Sequence, residues 1–536
     1  MSRRYKSPPM QMNMGDRFLN LSERGQNAIR NSVFGHFGDN VFPRINTEDY
    51  LVLYSKEGRG PAYLQGLIAV AYFVKSSDIT VDELLMRIET DIAYQYALHT
   101  TSAEKQPFSR RNLFYFLAKL DAYESETGIN LIKKTFDSIT ETFAKEMGLD
   151  KPDATGKLKR RMDSMMIETS AARLSRPGII YVTNQDAVIL FAELAGKEYL
   201  PMTLLHYLDE SDRNAVIYHD KECQSSKLTR LLEESRLILE LMSEEEWHEF
   251  QQYKNLKRCI LDQSNVDAEG RITPKENRDI EGGSLQSPKD PNATARTKNR
   301  RTYVGRVGNV TETYDRNGNG LITDADIREN TYSDLDFMSA YIEAKDDNKP
   351  EQVITDGAYY SAEKADEAVA KGITIIPTSL AGAETNPLCA DFRLNEEGTR
   401  VIACPNGIEP MKQVFHENTG IIDAKFGHAY CDQCPYKDQC PGKSQKRFVK
   451  VSISSKMVAR ADLQAQMETE EYKKYGRERN AVESIPSLFR RKYGIDNLRT
   501  RIANRIRSSY FAKCLAYNCM KHKRFLDRHR GNCALV

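Results

Sequence analysis

Three acidic residues, Asp163, Asp356 and Glu483, stand in segments suited to present carboxylates to a divalent metal and a phosphate. Asp356 closes the apolar run Val353-Ile354-Thr355 and precedes Gly357, as at the end of a buried strand. Asp163 lies inside Met162 to Ile167, directly after the basic run Lys157 to Arg161. Glu483 follows Arg479 by four residues and precedes Arg490 by seven, so an uninterrupted helix would project all three from one face. Pro486, three residues beyond Glu483, demands a kink in such a helix. Hard cations take oxygen ligands, and two Mg²⁺ or Mn²⁺ ions about 4 Å apart activate an attacking oxygen while neutralising the leaving one. Taken singly, an aspartate after a strand is usually a turn former; the ordered trio points to metal-assisted phosphoryl transfer.

A second constellation is sulfur-based. Cys404, in C-P-N-G, and Cys431, Cys434 and Cys440, in C-x2-C-P-x4-C, supply four soft thiolates suited to a closed tetrahedral, structural Zn²⁺ site. His416 and His428 are reserve ligands, Cys389 reads as core, and the alternative is a set of reduced, unliganded thiols in a small β-rich subdomain. The run from Asp315 to Asp326, DRNGNGLITDAD, has the oxygen spacing of a calcium loop. Its flanks alternate as strands and its Asn-Gly pairs form hairpins, which favours a turn.

The segments RMDSMMIETS, VITDGAYYS and RNAVESIPSLFRRKYG resemble, in wording and order, those of the DDE transposases of bacterial insertion sequences. The resemblance extends from about residue 40 to 520 through GRGPAYLQGLIAVAYF, YVGRVGNVTETYD, CDQCPYKDQC and RRKYGIDNLRTR. It implies an RNase H-like mixed-sheet core in which Asp163, Asp356 and Glu483 bind two Mg²⁺ or Mn²⁺ ions. It also implies cleavage of double-stranded DNA at inverted-repeat ends and joining to target DNA by a homodimer. The same chemistry would serve a nuclease without strand transfer, and a catalytically inactive DNA-binding remnant would keep the basic surfaces. One branch of the family carries a Y-R-E-K signature; Arg479 and Glu483 keep its spacing, Arg490 stands at the lysine, and Gly476 replaces the tyrosine, with Tyr475 one residue early. Arg479, Arg490, Arg499, Arg501, Arg505 and Arg507 are thereby candidate DNA contacts, with Arg110, Arg111 and Arg59 in the N-terminal region.

Length and pattern set the elements that must position these groups. A chain of 536 residues exceeds one core. Residues 1–16 read as disordered and 17–150 as a helical DNA-binding and dimerisation domain, with one helix expected over Thr80 to Tyr96 and another started by Ser109. Residues 151–170 hold the first core strand; 171–300 are a helical insertion ending in an exposed basic loop; 301–380 resume the core. Residues 381–451 form a cysteine-rich, zinc-ribbon-like insertion, and 452–536 the helix bearing Glu483 with a basic tail. The expected class is therefore α/β. Formal net charge is only +1, yet Arg477 to Arg530 holds fifteen Lys or Arg against four acids, and local fields are what DNA senses. The longest apolar run, Gly66 to Val74, falls short of a membrane span, and no apolar stretch follows the basic start as in a secretory signal. Clustered cysteines suit a reducing cytoplasm, and the resemblance implies action at the nucleoid of a bacterium or archaeon. No organic cofactor is expected.

Overall fold

A computed structural model describes residues 15–533 apart from 56–60, 62, 78, 210, 215, 218–223, 268–270, 299, 347–348, 499 and 501. Arg59, Arg499 and Arg501 thus lie outside the described residues. In chain order the first helices are α1 (Glu23–Arg30), α2 (Val33–His36), α3 (Leu64–Ser76), α4 (Val81–Thr90), α5 (Ile92–Ala97), α6 (Arg110–Thr127) and α7 (Leu131–Met147). Strand β1 (Leu158–Glu168) follows, then α8 (Arg176–Leu194), α9 (Asp212–Asn214), α10 (Gln224–Leu241) and α11 (Gln251–Gln263). Next come β2 (Ser264–Val266), β3 (Ile272–Pro274), β4 (Thr294–Lys298), β5 (Arg301–Tyr314), β6 (Gly320–Glu329), α12 (Asp334–Ala344), β7 (Glu351–Thr355), α13 (Ala362–Ala370) and β8 (Ile373–Pro377). The remainder is β9 (Arg393–Leu394), β10 (Val401–Ala403), β11 (Lys412–His416), β12 (Ile421–Phe426), α14 (His428–Cys431), β13 (Lys443–Ser444), β14 (Val449–Ile453) and helices α15 (Ser455–Met467), α16 (Glu470–Asn480), α17 (Ser484–Tyr493) and α18 (Ala503–Cys533). The architecture is mixed α/β, as expected, and compatible with an RNase H-like core.

The chain divides into two units, one of Met1–Asp153, Asp163–Ser333 and Ser484–Val536, the other of Ala154–Met162 and Asp334–Glu483. The division falls inside β1. In the first unit, helix starts obey the capping rule: the Thr80 hydroxyl accepts from Glu83 N–H and Ser109 from Asn112 N–H. Gly128 and Gly148 end α6 and α7 in the left-handed conformation. The single helix expected over Thr80 to Tyr96 is two, because the Asp91 carboxylate caps Ala93 N–H and starts α5. Helices α8, α10 and α11 close around a core that includes Tyr181, Val188, Leu231 and Leu256.

Antiparallel β5 pairs with β4 and β6 and runs beside the second half of β1, where Thr169 N–H donates to Val304 O at 3.2 Å. Gly305 permits that approach: its φ is 149°, and a Cβ there would sit 2.3 Å from Ile167 O. The exposed basic loop expected at the end of 171–300 is thus in part sheet, holding β2, β3 and β4. The calcium-like run is a hairpin turn, as its flanks favoured. The Asp315 carboxylate accepts from Asn317 N–H and Asn319 N–H, each at 2.9 Å, and from the Asn319 amide at 2.7 Å. Long helix α18 lies against α3, α7 and β6. Its Asn518 side chain bonds both Ile322 N–H and Ile322 O, standing in for a neighbouring strand.

In the second unit, the first half of β1 pairs parallel with β7, from Leu158↔Glu351 to Arg161↔Ile354, and β7 pairs parallel with β8. All five β7 residues are buried, as suits a parallel strand covered on both faces. Strands β11, β12, β14 and β13 form a separate antiparallel sheet. Its core includes Ile422, Phe426, Val451 and Ile453, with Cys389 fully buried as expected.

Candidate active site and cysteine cluster

Asp356 follows the last residue of β7 and turns the chain. Its carboxylate accepts from Ala358 N–H at 2.9 Å and caps the short helical turn Gly357–Tyr359. Gly357 packs where a side chain has no room: a Cβ would meet Ser379 O at 2.6 Å and Ala381 N at 2.8 Å. Its N–H donates to Ser379 Oγ at 3.1 Å. The Asp-Gly pair that ended an apolar run in the sequence thus presents a part-exposed carboxylate from a buried strand.

Helix α16 brings the second acid. Arg479 Nη1 donates to Glu483 Oε1 at 2.8 Å, while Arg479 Nη2 lies 3.7 Å from Asp356 Oδ2. One guanidinium, only 14% exposed, therefore stands between two carboxylates far apart in sequence. Glu483 is not on a helix, contrary to expectation; it sits in the turn 481–483 between α16 and α17. Pro486 supplies the reason, since its ring would clash with the Val482 carbonyl of a continuous helix. In the first turn of α17, Pro486 lacks only an N–H that would have no partner anyway. Arg490 is accordingly not aligned with Glu483: it bonds Asp496 at 3.1 Å and Met166 O at 3.0 Å, both within the first unit.

The residues that position α16 were not singled out from sequence. Arg161 Nη1 donates to Glu478 O at 2.7 Å, and Lys159 lies 3.5 Å from the Glu478 carboxylate. Lys159 and Arg161 are two apart on one strand, and that spacing was the available signal. Arg160 points the other way, 3.2 Å from Glu351, a carboxylate only 1% exposed. Tyr472 OH donates to Pro377 O at 2.9 Å, tying α16 to the end of β8. Asp163 lies in the first unit, part-buried in the second half of β1.

Of the other basic candidates, Arg505 and Arg507 pair with Asp121 and Glu124 of α6 at 2.5 and 2.7 Å. Arg110 makes an exposed pair with Asp82 at 3.3 Å, and Arg111 is exposed.

Cys404, Cys431, Cys434 and Cys440 line one cavity of about 330 Å³ beside the small sheet, and all four are free thiols. C-P-N-G folds as a tight turn in which Gly407 N–H donates to Cys404 O at 2.8 Å, with Gly407 at φ 77°. Burial pushes the Cys431 and Cys440 thiols above their ordinary value, and the neighbouring cysteines add to it. The reserve histidines are engaged elsewhere, His416 with Asp423 at 3.0 Å and His428 with Gln445 O at 2.8 Å. Among the described residues, no group of three or more His, Cys, Asp or Glu side chains is arranged to hold a metal as it stands. The donor chemistry still matches: four thiols lining one cavity suit zinc, and the Asp356 and Glu483 oxygens suit magnesium. Nor is any described helix long and apolar enough to cross a membrane.

Comparison with curated proteins gave no match, and comparison with solved structures gave none. Residues 403–522 match the family model of the transposase DDE domain. The matched span takes in the four clustered cysteines, Arg479, Glu483, Arg490 and most of α18. Residues 403–522 are thus similar to a transposase DDE domain, which supports a DDE transposase.

Proposed function

We propose that this transposase binds the inverted-repeat ends of its own insertion sequence as a homodimer, cleaves the DNA there and joins the freed 3′-hydroxyls to target DNA. The observation that carries the reading is Arg479 set between Asp356 and Glu483. Divalent magnesium or manganese, when bound by Asp163, Asp356 and Glu483, would supply an activated oxygen nucleophile and neutralise the leaving oxygen. Asp163 enters by its place in β1 and in the family's order of acids. Arg479 holds the two carboxylates of its own unit. A scissile phosphodiester offers the guanidinium a planar, bidentate partner, and its transfer to that phosphate releases the acids. Arg490, Arg499 and Arg501 would hold backbone nearby, with Arg110 and Arg111 on the N-terminal helices; Arg505 and Arg507 serve first as ties to α6. Such contacts position DNA without reading its sequence. Structural zinc held by Cys404, Cys431, Cys434 and Cys440 would fix the small sheet. The setting is the cytoplasm, at the nucleoid.

The test is cleavage and strand transfer with Mg²⁺ on DNA carrying the sequences that flank the gene, comparing wild type with Asp356→Asn. Joined product from wild type and binding without cleavage from the variant supports the reading. Nicks without joining would leave a nuclease, and binding without cleavage by either protein would leave an inactive remnant.

A further inference from the structure

Helix α6 leaves two aromatic rings part-exposed outside its buried stripe. Leu113, Phe116, Leu117 and Leu120 recur at helical spacing and are buried, whereas Phe114 and Tyr115 fall outside that stripe, 41% and 62% exposed. Each ring carries a cation. The Arg110 guanidinium lies 5.3 Å from the Phe114 centroid, and Lys119 Nζ lies 4.8 Å from Tyr115 and 4.2 Å from Tyr54. Lys119 is held there by a 2.6 Å hydrogen bond to Leu53 O. Arg111, Tyr115 and Lys119 are spaced by four and form one line along the helix.

We propose that this face of α6 is a binding site for single-stranded DNA, with Tyr115 and Phe114 stacking on unpaired bases and Arg110, Arg111 and Lys119 meeting the backbone. Stacking needs only the π-face that every base has, and a duplex interior leaves no such face free, so the site selects unpaired strand. Positive charge beside each ring complements the phosphates that accompany the bases. The choice of DNA rests on the proposed transposase function; the preference for single strand rests on the rings.

The experiment is fluorescence anisotropy of the full-length protein with a labelled 15-nucleotide thymidine oligomer and with a labelled duplex. Tyr115→Ala, Phe114→Leu and Tyr115→Trp are compared with wild type, and sedimentation reports the oligomeric state of each. Tyr115→Ala is expected to weaken single-strand binding by about tenfold, leave duplex binding unchanged, and be rescued in Tyr115→Trp. Equal losses on both DNAs, or no loss on single strand, overturn the site. A change in oligomeric state without a change in single-strand affinity overturns it in favour of an interface between copies. Wild type that binds duplex but not single strand defeats this inference alone, whereas wild type that binds neither defeats the DNA reading as well.

Discussion

Arg479 ties together two acids that lie far apart in sequence: its guanidinium lies 2.8 Å from Glu483 and 3.7 Å from Asp356. Two carboxylates facing one another would repel, and the arginine between them offsets that cost. Asp163→Asn, Asp356→Asn and Glu483→Gln should therefore each abolish cleavage while DNA binding persists, as read by gel shift and product analysis on the same substrate. Full cleavage by any one of them removes that residue from the site. At this scale the sequence was informative where a residue's neighbours constrain it. The place of Asp356 at the end of a buried strand was legible because it closes an apolar run and precedes Gly357. Lys159 and Arg161 were not, because a basic run reads equally as solvated surface until the pairing of β1 with β7 shows where it points.

Among elements, the strand pairings left two questions that composition alone does not answer. One is β4, hidden in a charged loop because its turn to β5 places Arg300 at φ 63°, a conformation that sequence reading reserves for Gly or Asn. The other is the seating of α18, whose His522 is fully buried. His36 Nε2 and His522 Nδ1 share a hydrogen bond at 2.9 Å, and His522 Nε2 lies 3.0 Å from the Glu146 carboxylate. Burial lowers the His36 imidazole to about 3, and His522 is lowered for the same reason, with Arg44 and Lys523 opposing and Glu146 and Asp527 favouring charge. The folded values lie below the unfolded value of about 6.5, so this contribution is complete above pH 6.5 and lost as pH falls toward 3. At pH 5 the loss from His36 alone is about 2 kcal/mol. Thermal unfolding should drop between pH 7.5 and 5 in wild type and drop less in His36→Phe; equal drops would discount the pair. The cysteine cluster belongs to this scale too. Purified protein should carry one zinc per chain by elemental analysis, and Cys434→Ser should lower both zinc content and thermal stability; zinc-free wild type would leave the thiols unliganded.

For the molecule as a whole, a net charge of +1 says little about DNA, because the cations are unevenly spent. Arg505, Arg507 and Arg490 are tied to acids of the protein, so the basic C-terminal stretch offers fewer free charges than its composition promises. Arg111 remains on an exposed helix face, Arg110 beside it makes an exposed pair with Asp82, and Arg479 is held by Asp356 and Glu483. Affinity for duplex ends must then come from a limited set of phosphate contacts, each displacing a condensed counterion. With about six contacts, affinity should fall about 1,000-fold between 50 and 200 mM salt. Arg111→Ala should flatten that slope by about one contact without changing which sequence is preferred. The measurement is a titration of binding against salt for wild type and Arg111→Ala. A shallow wild-type slope would mean that backbone charge does not hold this protein on DNA. An unchanged slope in the variant would place the contacts elsewhere than α6.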